Sequence, residues 1–220
     1  MRELQSGRRG AALGEARAVV IFLHGYGADG ADLLDLADAM GPQLPGVAFY
    51  APDAPEPCRG APYGRQWFPI PWIDGSTEAE QAAGLEAAVA DLNAFIDKTL
   101  AAEGLEGSAL ALLGFSQGAM MSMHVAPRRD RAIAGVVAIS GRLMAPERLE
   151  AEAKVKPPVL LVHGDRDDVV PFQSMQLAAN ALVGAGFETF GHVMQGTGHG
   201  IAPDGLGVAL QFLKERLPQA

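Results

Sequence analysis

The chain has 220 residues, 49% hydrophobic and 20% charged, with 27 glycines, which suits one domain with a substantial core. Seventeen Lys and Arg against 26 Asp and Glu leave a formal net charge of −9, which argues against general binding to nucleic acid or to an anionic membrane surface. The single Cys58 admits no internal disulfide and no cysteine-based metal cluster, and no apolar run approaches the roughly 18–20 residues that a membrane span needs.

Residues 1–17 carry no apolar signal-peptide core, so a cytoplasmic protein is expected, with this segment loosely ordered or lying at a sheet edge. The first apolar run, 18–23, reads as a strand. A glycine-rich loop follows over 24–30, then a helix over 31–40 and a strand over 47–50. Residues 51–76 form one long irregular stretch containing Pro52, Pro55, Pro57, Pro62, Pro69 and Pro71. Loops of this length in a compact domain are functional or disordered, and the apolar Trp67, Phe68, Trp72 and Ile73 argue against disorder. The expectation is an ordered flap with Trp67, Phe68 and Trp72 lining a cleft and touching what it binds; the alternative is that these side chains plug the core beneath the sheet edge, Trp67 more readily than Trp72.

Thr77 opens the clearest helix, with Glu80 placed to complete a capping box. Leu85, Val89, Leu92, Ile96 and Leu100 fall on one face, and Gly104 stops it. Strands are then expected at 109–113, 133–139, 159–162 and 189–194, and helices at 119–126, 146–153, 173–184 and 205–217. The basic run 128–131 reads as a solvated helix end. Most of the strand runs lack strict alternation, as strands buried on both faces of a parallel sheet do. Strands alternating with helices imply crossover connections and a three-layer α/β sandwich. No repeat or linker divides the chain, so 1–220 reads as one domain.

The most informative stretch is Gly114-Phe115-Ser116-Gln117-Gly118, between an apolar strand and a helix. A nucleophile elbow needs this context: a tight, strained turn that exposes Ser, with small residues two positions either side where strand and helix nearly touch. A serine hydroxyl needs a general base within hydrogen-bond reach. Of five histidines, His124 falls on a helix and His192 in a strand, while His24 and His163 close strands where turn geometry employs them. His199 sits in a glycine-rich loop after the last strand, on the side where loops converge, and is the expected base.

The acid is expected between Ser and His along the chain. His163-Gly164-Asp165-Arg166-Asp167-Asp168 offers three carboxylates; Asp167 is taken as the acid and Asp168 as its rival, the others serving turn amides. The oxyanion donors are expected at the Gln117 amide, which follows the nucleophile, and at the Tyr26 amide, in the loop after the early strand.

The same loop spells a rival motif. Gly25-Tyr26-Gly27-Ala28-Asp29-Gly30 is G-x-G-x-x-G after a strand and before a helix, with Asp53 near the offset of a ribose-binding acid. That would make the chain an NAD(P)-binding oxidoreductase. It fails because Asp53 lies beyond the strand end, before a proline-rich loop, and because it leaves Ser116, the Asp cluster and His199 without a purpose. A non-catalytic binding protein on the same scaffold is the other alternative.

With these residues placed, the chain resembles the carboxylesterase, lysophospholipase and acyl-protein thioesterase family of α/β-hydrolases, from about residue 19 to 217. The resemblance rests on His24–Gly30, 51–55 (Ala-Pro-Asp-Ala-Pro), Gln66-Trp67-Phe68, 114–118, 163–167 and Gly198-His199. It implies an α/β-hydrolase fold with a mostly parallel sheet, helices on both faces and no large lid. It also implies Ser116, Asp167 and His199 as the catalytic set, with Tyr26 aligned to the second oxyanion donor. The implied reaction is hydrolysis of short- to medium-chain acyl esters, thioesters or lysophospholipids without cofactor or metal. The expected partner is a small-molecule ester, with no nucleic acid or stable membrane insertion, and a homodimer is compatible.

Overall fold

A computed structural model describes residues 1–61 and 63–218; Pro62, Gln219 and Ala220 lie outside the described residues. Nine strands are described: β1 (Ser6–Gly10), β2 (Ala18–Leu23), β3 (Val47–Pro52), β4 (Glu56–Pro57), β5 (Arg65–Gln66), β6 (Leu110–Phe115), β7 (Gly135–Ile139), β8 (Val159–Gly164) and β9 (Thr189–Met194). Seven of them form one sheet in the order β1-β3-β2-β6-β7-β8-β9, while β4 and β5 pair in a small hairpin. β1 runs antiparallel to β3 at the edge and every other pairing in the large sheet is parallel. The expected mostly parallel α/β sheet with helices on both faces, and without a large lid, is the fold observed.

The strands read as unbroken apolar runs because both faces are covered. Along β2, Val19, Ile21 and Leu23 enter one core with helices α4 (Glu78–Glu103), α5 (Gln117–Val125) and α7 (Gln173–Gly184). Ala18, Val20 and Phe22 enter the other, with α1 (Gly30–Leu34), α2 (Leu36–Met40) and α8 (Pro203–Arg216). The period-2 alternation of a strand thus divides one apolar run between two cores.

Local signals explain most boundaries. Thr77 Oγ1 accepts the Glu80 amide while Glu80 accepts the Thr77 amide, and Gly104 ends α4 in the left-handed region at φ 67°. The single helix expected over 31–40 divides at Asp35, where the Asp38 amide bonds back only three residues to Asp35 O at 3.1 Å. The helix expected over 146–153 begins as a 3₁₀ turn over Pro146–Arg148 before α6 (Leu149–Glu152). The irregular stretch 51–76 is ordered by the β4–β5 hairpin and by α3 (Pro71–Asp74).

The N-terminal segment is tied down through a buried carboxylate. Glu103 accepts Arg8 Nη2 at 2.7 Å, the Tyr50 hydroxyl at 2.6 Å and the Gly14 amide at 2.9 Å, which joins β1, β3 and the end of α4. Among the described residues no helix is long and apolar enough to cross a membrane.

Strand order positions the site. β2 has β3 on one side and β6 on the other, so the chain changes direction across the sheet there, and ligands of open α/β sheets bind outside the carboxyl ends at such a switch point. Leu23 pairs with Gly114, which sets the 24–30 loop beside Ser116. Gly164 pairs with Met194, which sets the Asp cluster beside the 195–200 loop.

Candidate active site

Ser116 sits between β6 and α5 at φ 53°, ψ −115°, a region L-residues rarely adopt, with its amide bonded to Ile139 O at 2.9 Å. Such strain costs about 1–3 kcal/mol and persists only where the surround over-determines it. Here the surround is tight: a Cβ on Gly114 would lie 2.2 Å from Gly118 O, and one on Gly118 would lie 1.8 Å from Leu23 O. These two glycines permit the approach of α5 to β2 and β6.

His199 Nε2 stands 3.0 Å from Ser116 Oγ, and its Nδ1 stands 2.8 Å from Asp167 Oδ2. Beside a carboxylate Nδ1 carries the proton, so Nε2 is left bare to accept from the serine hydroxyl. The Phe115 ring packs on the imidazole with centroids 4.9 Å apart. The Asp167 side chain is buried, and its Oδ1 accepts the amides of Val169 at 3.0 Å and Val170 at 2.8 Å. Burial by itself would raise its pKa, but the bonds from His199 and from the two amides outweigh that and hold the carboxyl below the usual carboxylate range.

The other two carboxylates separate cleanly. Asp168 is exposed, while Asp165 Oδ1 accepts the Gly196 amide at 2.6 Å and so braces the loop that carries His199. Behind Asp167, the buried His163 donates from Nε2 to Val170 O at 2.9 Å and lies 3.3 Å from Asp167 Oδ2. His24 donates from Nδ1 to Gly25 O and accepts the Ala54 amide on Nε2, and burial lowers its pKa so that it stays neutral. His192 pairs with Asp204 at 2.8 Å, and His124 lies in the last turn of α5.

The Gln117 amide lies at the start of α5 and the Tyr26 amide in the loop after β2; among the described residues neither donates to a main-chain acceptor. The Tyr26 loop is clamped by the Gly27 amide to Arg65 O at 2.9 Å and the Arg65 amide to Ala28 O at 2.8 Å. Burial and the neighbouring Cys58 thiol push the Tyr26 phenol well up. A cavity of about 370 Å³ opens beside the serine, lined by His24, Tyr26, Leu33, Phe115, Ser116, His199 and Ile201 among others.

Two expected substrate contacts are corrected. Trp67 is 0% and Phe68 1% exposed, both inside the core beneath the site, so neither offers a surface to a ligand. They act on the site from below: the Trp67 amide donates to Gln117 Oε1 at 2.8 Å, Gln117 Nε2 donates to Phe68 O at 2.7 Å, and Trp67 Nε1 donates to His24 O at 3.0 Å. This role of the Gln117 side chain had no signal in the sequence. Trp72, on α3, is exposed.

The 25–30 motif also resolves. Asp29 caps α1 in a capping box with Asp32, and Asp53 Oδ1 accepts the Gly30 amide at 2.9 Å. The acid a dinucleotide would need is therefore engaged at the helix start it should leave free.

The comparison with known sequences decides the family. The Phospholipase/Carboxylesterase family matches residues 11–217. The chain belongs to the phospholipase/carboxylesterase family. Among its relatives, "Acyl-protein thioesterase 1" of Neurospora crassa is 30% identical, covering 94% of this chain and 90% of that protein. "Esterase YpfH" of Escherichia coli is 26% identical over 93% of this chain and 85% of its own length. The crystal structure of esterase PE8 superposes with a TM-score of 0.92 at 42% identity, covering 98% of this chain and all of that one. Membership of the phospholipase/carboxylesterase family supports ester hydrolysis, not the dinucleotide reading of the 25–30 loop.

Proposed function

We propose that this carboxylic ester hydrolase works through Ser116 as nucleophile, His199 as general base and acid, and Asp167 as the carboxylate that orients His199. The observation that carries the reading is the continuous relay Ser116–His199–Asp167, at 3.0 and 2.8 Å, with the serine held at a positive φ. Ser116 Oγ attacks the ester carbonyl carbon as its proton passes to His199 Nε2. The carbonyl oxygen becomes an oxyanion and takes hydrogen bonds from the Tyr26 and Gln117 amides, charge-stabilising donors worth about 2.7–4 kcal/mol each. The imidazolium, steadied by Asp167, protonates the leaving alcohol as the C–O bond breaks. A water molecule then gives its proton to His199 and attacks the acyl-enzyme, which releases the acid and restores the serine.

The substrates we assign are short- to medium-chain acyl esters, with thioesters and lysophospholipids within the same chemistry; the cavity of about 370 Å³ beside Ser116 favours a modest acyl group. A non-catalytic binding role is less favoured, because a binding site gains nothing from a strained serine aligned with a base.

The test is labelling with a fluorophosphonate probe together with turnover of 4-nitrophenyl esters from acetate to palmitate. Wild type should label once, at Ser116. Ser116→Ala should fold, lose the label and lose about 10⁴–10⁶ in kcat. A folded variant that keeps more than about a tenth of the rate overturns the assignment.

A further inference from the structure

Arg142 lies three residues past the end of β7, at the carboxyl edge of the sheet beside the serine turn. Its predecessor Gly141 is packed hard against that turn: a Cβ there would lie 2.6 Å from Ala119 Cβ and 3.2 Å from Ser116 O. The Arg142 guanidinium lies over the Trp72 ring, 4.4 Å from its centroid, and Trp72 is 60% exposed. Trp72 in turn hangs from the segment that Gln117 holds through Trp67 and Phe68. The pair therefore bridges two loops, each anchored to a residue of the 116–118 turn or next to it.

Among the described residues Arg142 differs from the other arginines in being half-buried without a partner: Arg17 and Arg166, also without carboxylates, are exposed, and Arg65 donates to Ala54 O and Pro55 O. Arg2, Arg8, Arg128, Arg129, Arg131, Arg148 and Arg216 all pair with carboxylates. Arg142 is half-buried, yet among the described residues no carboxylate lies within ion-pair distance, and its buried Nε has no hydrogen-bond partner. Burial pushes its pKa down from the usual arginine value. In a chain of net charge −9 an acidic partner would be easy to supply. A charge withdrawn from water and left unpaired is unfavourable, and the indole face beneath it offsets only part of that loss. A planar guanidinium resting on an aromatic ring keeps its in-plane N–H groups free for a two-oxygen anion.

We propose that Arg142, supported by Trp72, is a specificity site that receives an oxyanion carried by the substrate, a carboxylate or a phosphate. The site rests on the serine-esterase reading above and narrows it to esters bearing a second, anionic group. The negative protein repels anions at long range, but salt screens that field over about 8 Å, whereas the unpaired guanidinium acts at contact.

Two matched pairs of esters distinguish the sources of the anion. The 4-nitrophenyl monoester of adipic acid against its neutral methyl diester places the charge on the acyl side. A 1-acylglycerol 3-phosphate against the 1-acylglycerol places it on the alcohol side. For each pair the readout is the ratio of kcat/KM, charged over neutral, in wild type, Arg142→Gln and Arg142→Lys.

In Arg142→Gln the ratio for one pair should fall about ten-fold, chiefly through KM, as expected for loss of a charge-assisted bond. Arg142→Lys should recover part of it, and the responding pair identifies the side on which the anion sits. Ratios in Arg142→Gln equal to wild type for both pairs overturn the site, as does a wild type that rejects both charged esters. The neutral esters report separately on the serine-esterase reading. If Ser116→Ala still turns them over, that reading fails whatever the ratios do.

Discussion

Asp167 and Asp168 are adjacent carboxylates with opposite surroundings. Asp167 is buried among two amides and two imidazoles, while Asp168 faces water. Asp167→Asn should lower kcat by about 10⁴, since an amide in that place allows the wrong imidazole tautomer. Asp168→Asn should stay within about three-fold of wild type, as an exposed carboxylate with no contact to the relay contributes little. Steady-state kinetics on purified, folded variants checks the ranking, and the reverse order would move the acid to Asp168. The turn glycines act at the same scale. Gly114 and Gly118 were readable in advance because contact between strand and helix leaves no volume for a side chain.

At the scale of elements, the elbow is held by more than β6 and α5. The Gln117 side chain, 0% exposed, ties the start of α5 to the main chain at Trp67 and Phe68. Gln117→Leu should leave that buried N–H and C=O unpaired and cost about 2–6 kcal/mol, at roughly 1–3 for each group. Urea denaturation measures it; a loss under about 1 kcal/mol would mean that water takes the place of the amide. The variant should also lose activity, because the turn that aims Ser116 is no longer pinned to the segment beneath it. α4 shows the opposite case, an element legible end to end. Its cap, its Leu92–Ile96 core face and its terminal glycine are all local features of the chain.

Over the whole molecule, histidines partly or fully withdrawn from water tie stability to pH. Burial, with help from Arg128, lowers the pKa of His124 from 6.5 to about 4. Native His124 therefore refuses a proton that the unfolded chain takes up between these values. Stability should fall as pH is lowered through that window, because the unfolded state then binds more protons. His24, also depressed by burial, adds to the same slope. Asp167 and Glu103 have lowered carboxyl pKa values, so the stability they contribute is present above the unfolded carboxylate range and is lost only at lower pH. Thermal melts from pH 7 to 4 should show a shallower decline of Tm in His124→Gln than in wild type. Parallel curves would show that His124 titrates normally in the fold.

The parallel strands, the α4 capping box and the serine turn were legible because each is a local pattern. An apolar run buried on two faces, a capping pair three residues apart and a Gly–Ser–Gly turn all express their physics within a few residues. Residues 6–10 gave no such signal, since Ser-Gly-Arg-Arg-Gly becomes β1 only by pairing with β3. Trp67 and Phe68 were misplaced for a related reason: an aromatic in an irregular loop reads the same whether it lines a cleft or plugs a core. Spacing offered three carboxylates, and the pairing of β8 with β9 places the Asp167 turn against the His199 loop while Asp168 faces water. The Gln117 bridge and the unpaired Arg142 over Trp72 join segments tens of residues apart. Contacts of that kind are decided only when the sheet brings distant loops to one edge, because nothing in the local chain energy distinguishes a partner from a neighbour that never arrives.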